Sequence, residues 1–185
     1  MNRLKKYFAL SFAIIAFSFV EASAQNYAVV GGQKPSQGIE RKIYSELVSL
    51  PRYGMFDYIT FRVSGSTVTL GGKVITLGTK SSAERVVKDI SGVSNVINNI
   101  EELPVGSFDN RIRRQAYATF VSRGPGQYFS TINPEVRIVV ENGRMTLQGN
   151  VASQGDKDTL NILANGISGV FQVTNNLIVG RDPLR

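Results

Sequence analysis

The chain has 185 residues and a formal net charge of +7, and it contains no Cys, no His and no Trp. Without Cys and His it has no thiolate nucleophile, no imidazole base, no disulfide and neither the sulfur nor the imidazole ligands on which most zinc sites depend. These absences exclude most catalytic and metal-binding classes, so we expect neither a catalytic site nor a cofactor nor a metal.

The N-terminal segment has the features of an export signal. Three positive residues precede an apolar run of 14 residues, which is too short for a comfortable membrane span. Ala22-Ser23-Ala24 then fits the small-x-small cleavage rule. We expect residues 1–24 to be a signal peptide cleaved after Ala24, with an uncleaved anchor as the alternative. No Cys follows the run, so we expect a periplasmic or secreted protein that is not a lipoprotein.

Residues 25–38 contain Gly31-Gly32 and Pro35-Ser36, and this composition predicts a flexible leader. From residue 25 onward the chain carries 18 Lys and Arg against 13 Asp and Glu, a net charge of +5. A mildly basic protein of this kind tolerates contact with an anionic surface without requiring one.

Beyond the leader, the chain repeats itself. Residues 59–100 align without a gap on residues 136–177 at a constant offset of 77, and 14 of these 42 positions are identical. Farther upstream the offset is 73, so the second copy has four extra residues between its first helix and its first strand. A repeat of this length predicts two copies of one structural module.

Each copy begins with a helix whose apolar residues recur at i, i+4 and i+8, and a hairpin of two alternating strands follows it. Asn142-Gly143 predicts the hairpin turn of the second copy, because both residues tolerate positive φ. Gly72 and Gly149 interrupt the second strand and indicate a bulge or a close approach of two backbones. The helical stripes are Ile39, Ile43 and Leu47 in the first copy, and Ile112, Ala116 and Phe120 in the second.

A second helix and a last strand complete each copy. Ser81 and Glu84 have the spacing of a capping box, which places the start of the first copy's second helix near Ser81. Gly92 and Gly169 stand where a residue after the helix adopts the left-handed conformation.

This order predicts an α+β fold of two tandem αββαβ modules, each a small three-stranded sheet with two helices on one face. The predicted boundaries are residues 39–104 for the first module, 105–108 for a linker, 109–180 for the second module and 181–185 for a tail.

Two repeated motifs resemble those of the BON domain family. The first is Val68-Thr69-Leu70-Gly71-Gly72, and the second is Ile90-Ser91-Gly92-Val93 followed by Asn98-Asn99; both recur in the second copy with few changes. The resemblance implies an αββαβ module without known catalytic activity. It also implies a periplasmic protein associated with phospholipid or the envelope and with tolerance of osmotic stress. The positions shared with the family define the fold, so the resemblance assigns no binding residue to this chain.

Basic residues are concentrated on the first helix of the second copy. Arg111, Arg113 and Arg114 lie on this helix and Arg123 just follows it. On a helical wheel Arg111 and Arg114 face solvent, while Arg113 lies on the flank of the apolar stripe. The cluster predicts a site for an anionic lipid surface.

The elongated loop adds two aromatic residues to this hypothesis, since Tyr128 and Phe129 would reach the membrane interface. The alternative is a solvated helix face with both aromatic rings folded into the core.

Two functions remain open at this stage. The first is attachment to anionic phospholipid or another envelope component. The second is a structural or adaptor role, in which the modules pair with an envelope protein or with each other through sheet edges. A nucleic-acid role is disfavoured, because the chain has no strongly basic aromatic stripe.

Overall fold

The computed structural model describes residues 28–29, 38–104 and 106–180, so the predicted signal peptide and tail lie outside it. It confirms two consecutive αββαβ modules of mixed α and β structure. The first module comprises α1 (Ile39–Val48), β2 (Tyr58–Ser64), β3 (Thr67–Val74), α2 (Thr79–Lys88), β4 (Asn95–Asn98) and β5 (Glu101–Glu102), preceded by β1 (Ala28–Val29). The second comprises α3 (Ser107–Arg123), β6 (Val136–Glu141), β7 (Arg144–Val151), α4 (Gln154–Asn165) and β8 (Gln172–Val179).

Both sheets have the same internal pairing. The hairpins β2–β3 and β6–β7 are antiparallel, and β4 and β8 return parallel to β3 and β7. Alternate residues of the central strands, such as Leu70 and Leu147, are fully buried in separate apolar cores. The apolar stripes of the helices enter the same cores, represented by Ile43 and Leu47 in the first module and by Ile112 in the second.

The segment predicted as a flexible leader contains a strand. Ala28 and Val29 form β1, which pairs antiparallel with Phe61 and Thr60 of β2. The first sheet therefore has a short additional strand at its outer edge, which the repeat does not predict because the second copy has no equivalent.

The repeated strand glycines permit a close approach of two backbones, as predicted, although the strands continue through them. Gly72 and Gly149 have φ of 108° and 129°, a region that side chains strongly disfavour. A Cβ at either position would overlap a backbone carbonyl oxygen, that of Tyr58 or that of Glu135. Only glycine therefore allows the hairpin to pair at this point.

The predicted N-cap of α2, Ser81, is wrong by three residues, since Gly78 occupies that position. The helix begins at Thr79 after Gly78, which has φ of 86°, and the Ser81 hydroxyl donates to the Gly78 carbonyl instead of capping the helix. The α4 helix does have a side-chain cap, because Ser153 Oγ accepts from the Asp156 N–H at 3.1 Å. The prediction for Gly92 and Gly169 is confirmed, with φ of 98° and 90°.

Replacing Gly149 by Ala should lower the free energy of unfolding by about 2 kcal/mol or more, because both the positive φ and the overlap with Glu135 disfavour a Cβ. Gly155→Ala is the matched control, since this glycine lies in α4 and a Cβ there would meet only Ser153 Oγ at 3.7 Å. Urea unfolding measures both variants. Equal stability of the two would contradict the close-approach interpretation.

Candidate functional site: an aromatic and basic patch on the second module

The structure divides the predicted arginine cluster. Arg111 and Arg114 are exposed on α3, as the helical wheel predicts. Arg123 is also exposed, but it is the last residue of α3 and lies about 120° around the helix from Arg111. Arg111 and Arg114 therefore share a surface to which Arg123 does not belong.

Arg113, which the helical wheel places on the flank of the apolar stripe and the prediction includes in the anionic-surface site, is buried. Its side chain is only 1% exposed, and its guanidinium donates to Val140 O at 2.5 Å and to Asn110 Oδ1 at 2.7 Å. Burial lowers the pKa of Arg113, although the nearby carboxylates of Asp109 and Asp57 oppose that shift. Arg113 therefore ties α3 to β6 and is inaccessible to a membrane.

Asp109 performs a related structural task that the sequence reasoning missed. Its carboxylate accepts from the N–H groups of Asn142 and Gly143 at 2.8 and 2.9 Å. These two residues form the β6–β7 turn with φ of 49° and 73°, so the predicted turn is confirmed and is held by α3. The sequence did contain a hint of this role, because Asp109 lies one turn before Arg113 on the apolar side of the helix.

The expectation that Tyr128 and Phe129 reach a membrane is also wrong, because both are buried in the second core. Tyr128 donates its hydroxyl hydrogen to Asp156 Oδ2 at 2.8 Å and accepts from the Ala152 N–H at 2.8 Å. The Phe129 ring stacks on Phe120 with centroids 5.3 Å apart. The elongated loop therefore folds inward and fastens α3 to the start of α4.

A different pair of aromatic residues is exposed near Arg111. The rings of Phe108 and Phe171 stack with centroids 6.2 Å apart, and they are 38% and 78% exposed. The Arg111 guanidinium lies 5.4 Å from the Phe108 centroid. Arg144, also exposed, pairs with Gln172 next to Phe171. We call Phe108, Arg111, Arg144 and Phe171 the aromatic–arginine patch.

The first module has no equivalent of this patch. At the repeat offsets, Phe171, Arg144 and Arg111 correspond to Ser94, Thr67 and Gly38. The sequence analysis missed Phe108 and Phe171 because they lie outside the helical stripe and are separated by 63 residues. The substitution of Ser94 by Phe171 between the copies was the signal that the sequence did contain.

A second feature missed from the sequence joins the modules. The loop Tyr53–Asp57 of the first module lies against β6, where the Ile138 N–H donates to Met55 O at 2.9 Å. The side chains of Met55 and Phe56 pack against the second core. We call this contact the module joint.

Arg137 is the charged centre of the joint. It is 1% exposed, donates from Nη1 to Gly54 O at 2.6 Å, and lies 4.0 Å from the centroid of the Tyr53 ring. Burial raises the pKa of Tyr53 well above its ordinary range, so the ring stays neutral. The face of β6 that carries Arg137 and Val139 is consequently buried, although alternation alone predicts it to be exposed.

Asp57 holds the joint loop in shape. Its carboxylate accepts from the N–H groups of Gly54 and Ile75, each at 2.8 Å. Burial raises the pKa of Asp57, while those two hydrogen bonds and the Arg137 charge act in the opposite direction. At the other end of β6, Lys73 of the first sheet forms an ion pair with Glu141 at 2.5 Å.

The BON domain family model matches the chain twice, over residues 35–104 and 110–181. The chain belongs to the BON domain family. BON domains are known from envelope and periplasmic proteins and are generally non-catalytic. No helix among the described residues of this BON protein is long and apolar enough to cross a membrane.

Solved structures add a distant likeness, and no curated protein matches. The C-terminal domain of CdsD, the structural protein of the type III secretion system of Chlamydia trachomatis, matches with 12% identity and a TM-score of 0.31. That alignment covers 80% of this chain and all of the other. A second CdsD structure matches with 13% identity and a TM-score of 0.31, over 78% of this chain and 94% of the other.

A double-mutant cycle tests the charged centre of the joint. Tyr53→Leu and Arg137→Met should show a coupling energy of about 1 to 2 kcal/mol in urea unfolding, because the cation lies over the ring in a buried setting. The matched control is Phe108→Leu with Arg111→Met, whose cation–π contact is solvent-exposed and longer. A Tyr53–Arg137 coupling no larger than that of the control pair would contradict a tightly packed joint.

Proposed function

We propose that this BON protein is an exported, non-catalytic envelope protein that attaches to anionic phospholipid through the aromatic–arginine patch. The observation that carries the proposal is the exposed stack of Phe108 and Phe171 beside two exposed arginines. The family's occurrence in envelope proteins supports the same function.

The chemistry of the patch suits a membrane interface. Aromatic rings partition into the boundary between headgroups and acyl chains, while each arginine near an anionic leaflet contributes about 1 kcal/mol of attraction. Phe171 is 78% exposed, so it can enter the interface without unfolding the core. Arg114, on the same side of α3 as Arg111, extends the positive surface.

Export places the protein where this chemistry is useful. The positive segment, the short apolar run and Ala22-Ser23-Ala24 support secretion with cleavage after Ala24. We infer a periplasmic location and a role in envelope integrity or in tolerance of osmotic stress.

Sedimentation with phospholipid vesicles tests the lipid site. Replacing Arg111 and Arg144 by Ala should weaken binding to vesicles containing phosphatidylglycerol by about tenfold or more, because two favourable charges are lost. Phe108→Ser with Phe171→Ser should weaken it as much, through loss of the apolar contact. Binding should also fall as salt is raised.

The matched controls lie on other surfaces. Arg85→Ala with Lys88→Ala removes the same charge from exposed positions of α2, and Ile162→Ser removes a side chain that is 71% exposed on α4. Both should bind vesicles as the parent does. The proposal is wrong if the patch variants keep full affinity, or if the α2 variant loses as much as the patch variant.

A further inference from the structure

The strand edge that the module joint covers in the second module has a counterpart in the first module. In the joint, Met55 O covers the edge of β6 by accepting from the Ile138 N–H. The repeat offset of 77 places Phe61 of β2 at the position of Ile138. The edge of β2 at Phe61 is covered by β1, since Ala28 pairs with Phe61. The two modules therefore use the same strand edge, one for a loop and the other for a two-residue strand.

The loop that makes the joint also has a counterpart. At the offset of 77, Ile132 of the second module stands where Met55 stands in the first. Met55 is partly buried against the second core, whereas Ile132 is 84% exposed, more than any other large apolar side chain among the described residues. The first module's loop is thus engaged, and the second module's loop presents its apolar residue to solvent.

The opposite edge of the second sheet is less suited to pairing with another chain, because its own side chains occupy it. Leu177 N–H donates to Asn175 Oδ1 at 3.2 Å, and Lys157 Nζ donates to Leu177 O at 2.6 Å. Side chains that already bond the main-chain groups of an edge strand in this way discourage the addition of another strand. At the β2 edge, two of the seven residues pair with β1 and the Ile59 N–H donates to the Tyr53 hydroxyl at 3.2 Å, so a docking loop would displace β1 at Thr60 and Phe61.

We propose that the protein associates head to tail with a second copy of itself, the Ile132 loop of one copy docking on the β2 edge of the next in place of β1. This contact would use the strand edge that corresponds to the one covered in the module joint, although Pro134 stands at the position of Asp57. Its two surfaces differ, so it is heterologous and extends into open chains of copies. Position 137 of the joint corresponds to Thr60 and position 53 to Ser130, so the new contact lacks the cation–π pair. It is therefore weaker than the joint and reversible.

Directional crosslinking tests this proposal without lipid. The chain has no Cys, so Thr60→Cys and Thr131→Cys each introduce a single thiol, one on β2 and the other in the Ile132 loop. A short bismaleimide should join the two variants when they are mixed and should join neither variant to itself. Crosslinking of either variant to itself in equal yield, or no crosslinking in the mixture, would overturn the proposal.

Two further variants assign the surfaces. Ile132→Ser, added to Thr131→Cys, should raise the protein concentration needed for half-maximal crosslinking by about tenfold, because the contact would lose the apolar side chain that it buries. Leu77→Ser, 72% exposed in the first module, is the control and should have no effect. Ala28→Pro with Val29→Pro removes the donors of β1 and should increase the yield. An unchanged yield in the Ile132→Ser variant would rule out this loop as the docking surface. Vesicle binding is measured separately, so failure of one proposal leaves the other intact.

Discussion

The hydrogen bond from the Ile138 N–H to Met55 O is the contact around which the rest of the structure is arranged. The first strand of each module lies at the border of the sheet, so one of its edges has no partner strand within the module. The two helices cover one face of the sheet and leave the other face without a helix. In the second module the Tyr53–Asp57 loop covers both surfaces. Its backbone covers the edge of β6, and its Tyr53 ring covers Arg137 on the face of β6. A buried arginine without these partners would carry a large desolvation cost, so the loop and the strand depend on each other.

This arrangement gives the two copies different tasks. The first module supplies the loop, and Asp57 keeps that loop in shape. The second module keeps an exposed end formed by α3 and the β6–β7 turn, where Asp109 holds the turn next to Phe171. The buried Arg113 links the same helix to β6 through the Val140 carbonyl, and the carboxylates of Asp109 and Asp57 both favour its charged form. The helix that carries Phe108 and Arg111 is therefore tied to the strand that carries Arg137.

Much of the fold could be predicted from the sequence because it depends on local patterns that occur twice. The helical spacing of Ile112, Ala116 and Phe120, the Asn142-Gly143 turn and the glycines at 72 and 149 each have a local physical cause, and the repeat doubles the evidence. The site could not be predicted in the same way. Whether an arginine on α3 is buried depends on strands more than 20 residues away, and a helical wheel carries no information about them.

Arg113 and Arg137 illustrate this limit. Both are charged residues that local pattern places at a surface, yet each is 1% exposed because a distant carbonyl accepts from its guanidinium. The elongated loop misleads in the same direction, since Tyr128 is expected at a membrane interface and instead forms hydrogen bonds with Asp156 and Ala152 inside the protein. The differences between the two copies are more informative. Phe171 stands where the first copy has Ser94, and Ile132 stands where it has Met55, so two modules of the same fold carry different side chains at these positions.

Hydrogen exchange at the Ile138 amide tests the module joint most directly. This N–H points away from β7, and without the Tyr53–Asp57 loop it would be an edge amide open to water. If the joint forms as described, its exchange should be as slow as that of the amides paired within the β6–β7 ladder. Exchange at the rate of a solvent-exposed edge amide, in a protein whose β6–β7 ladder remains protected, would contradict the joint and the division of tasks that depends on it.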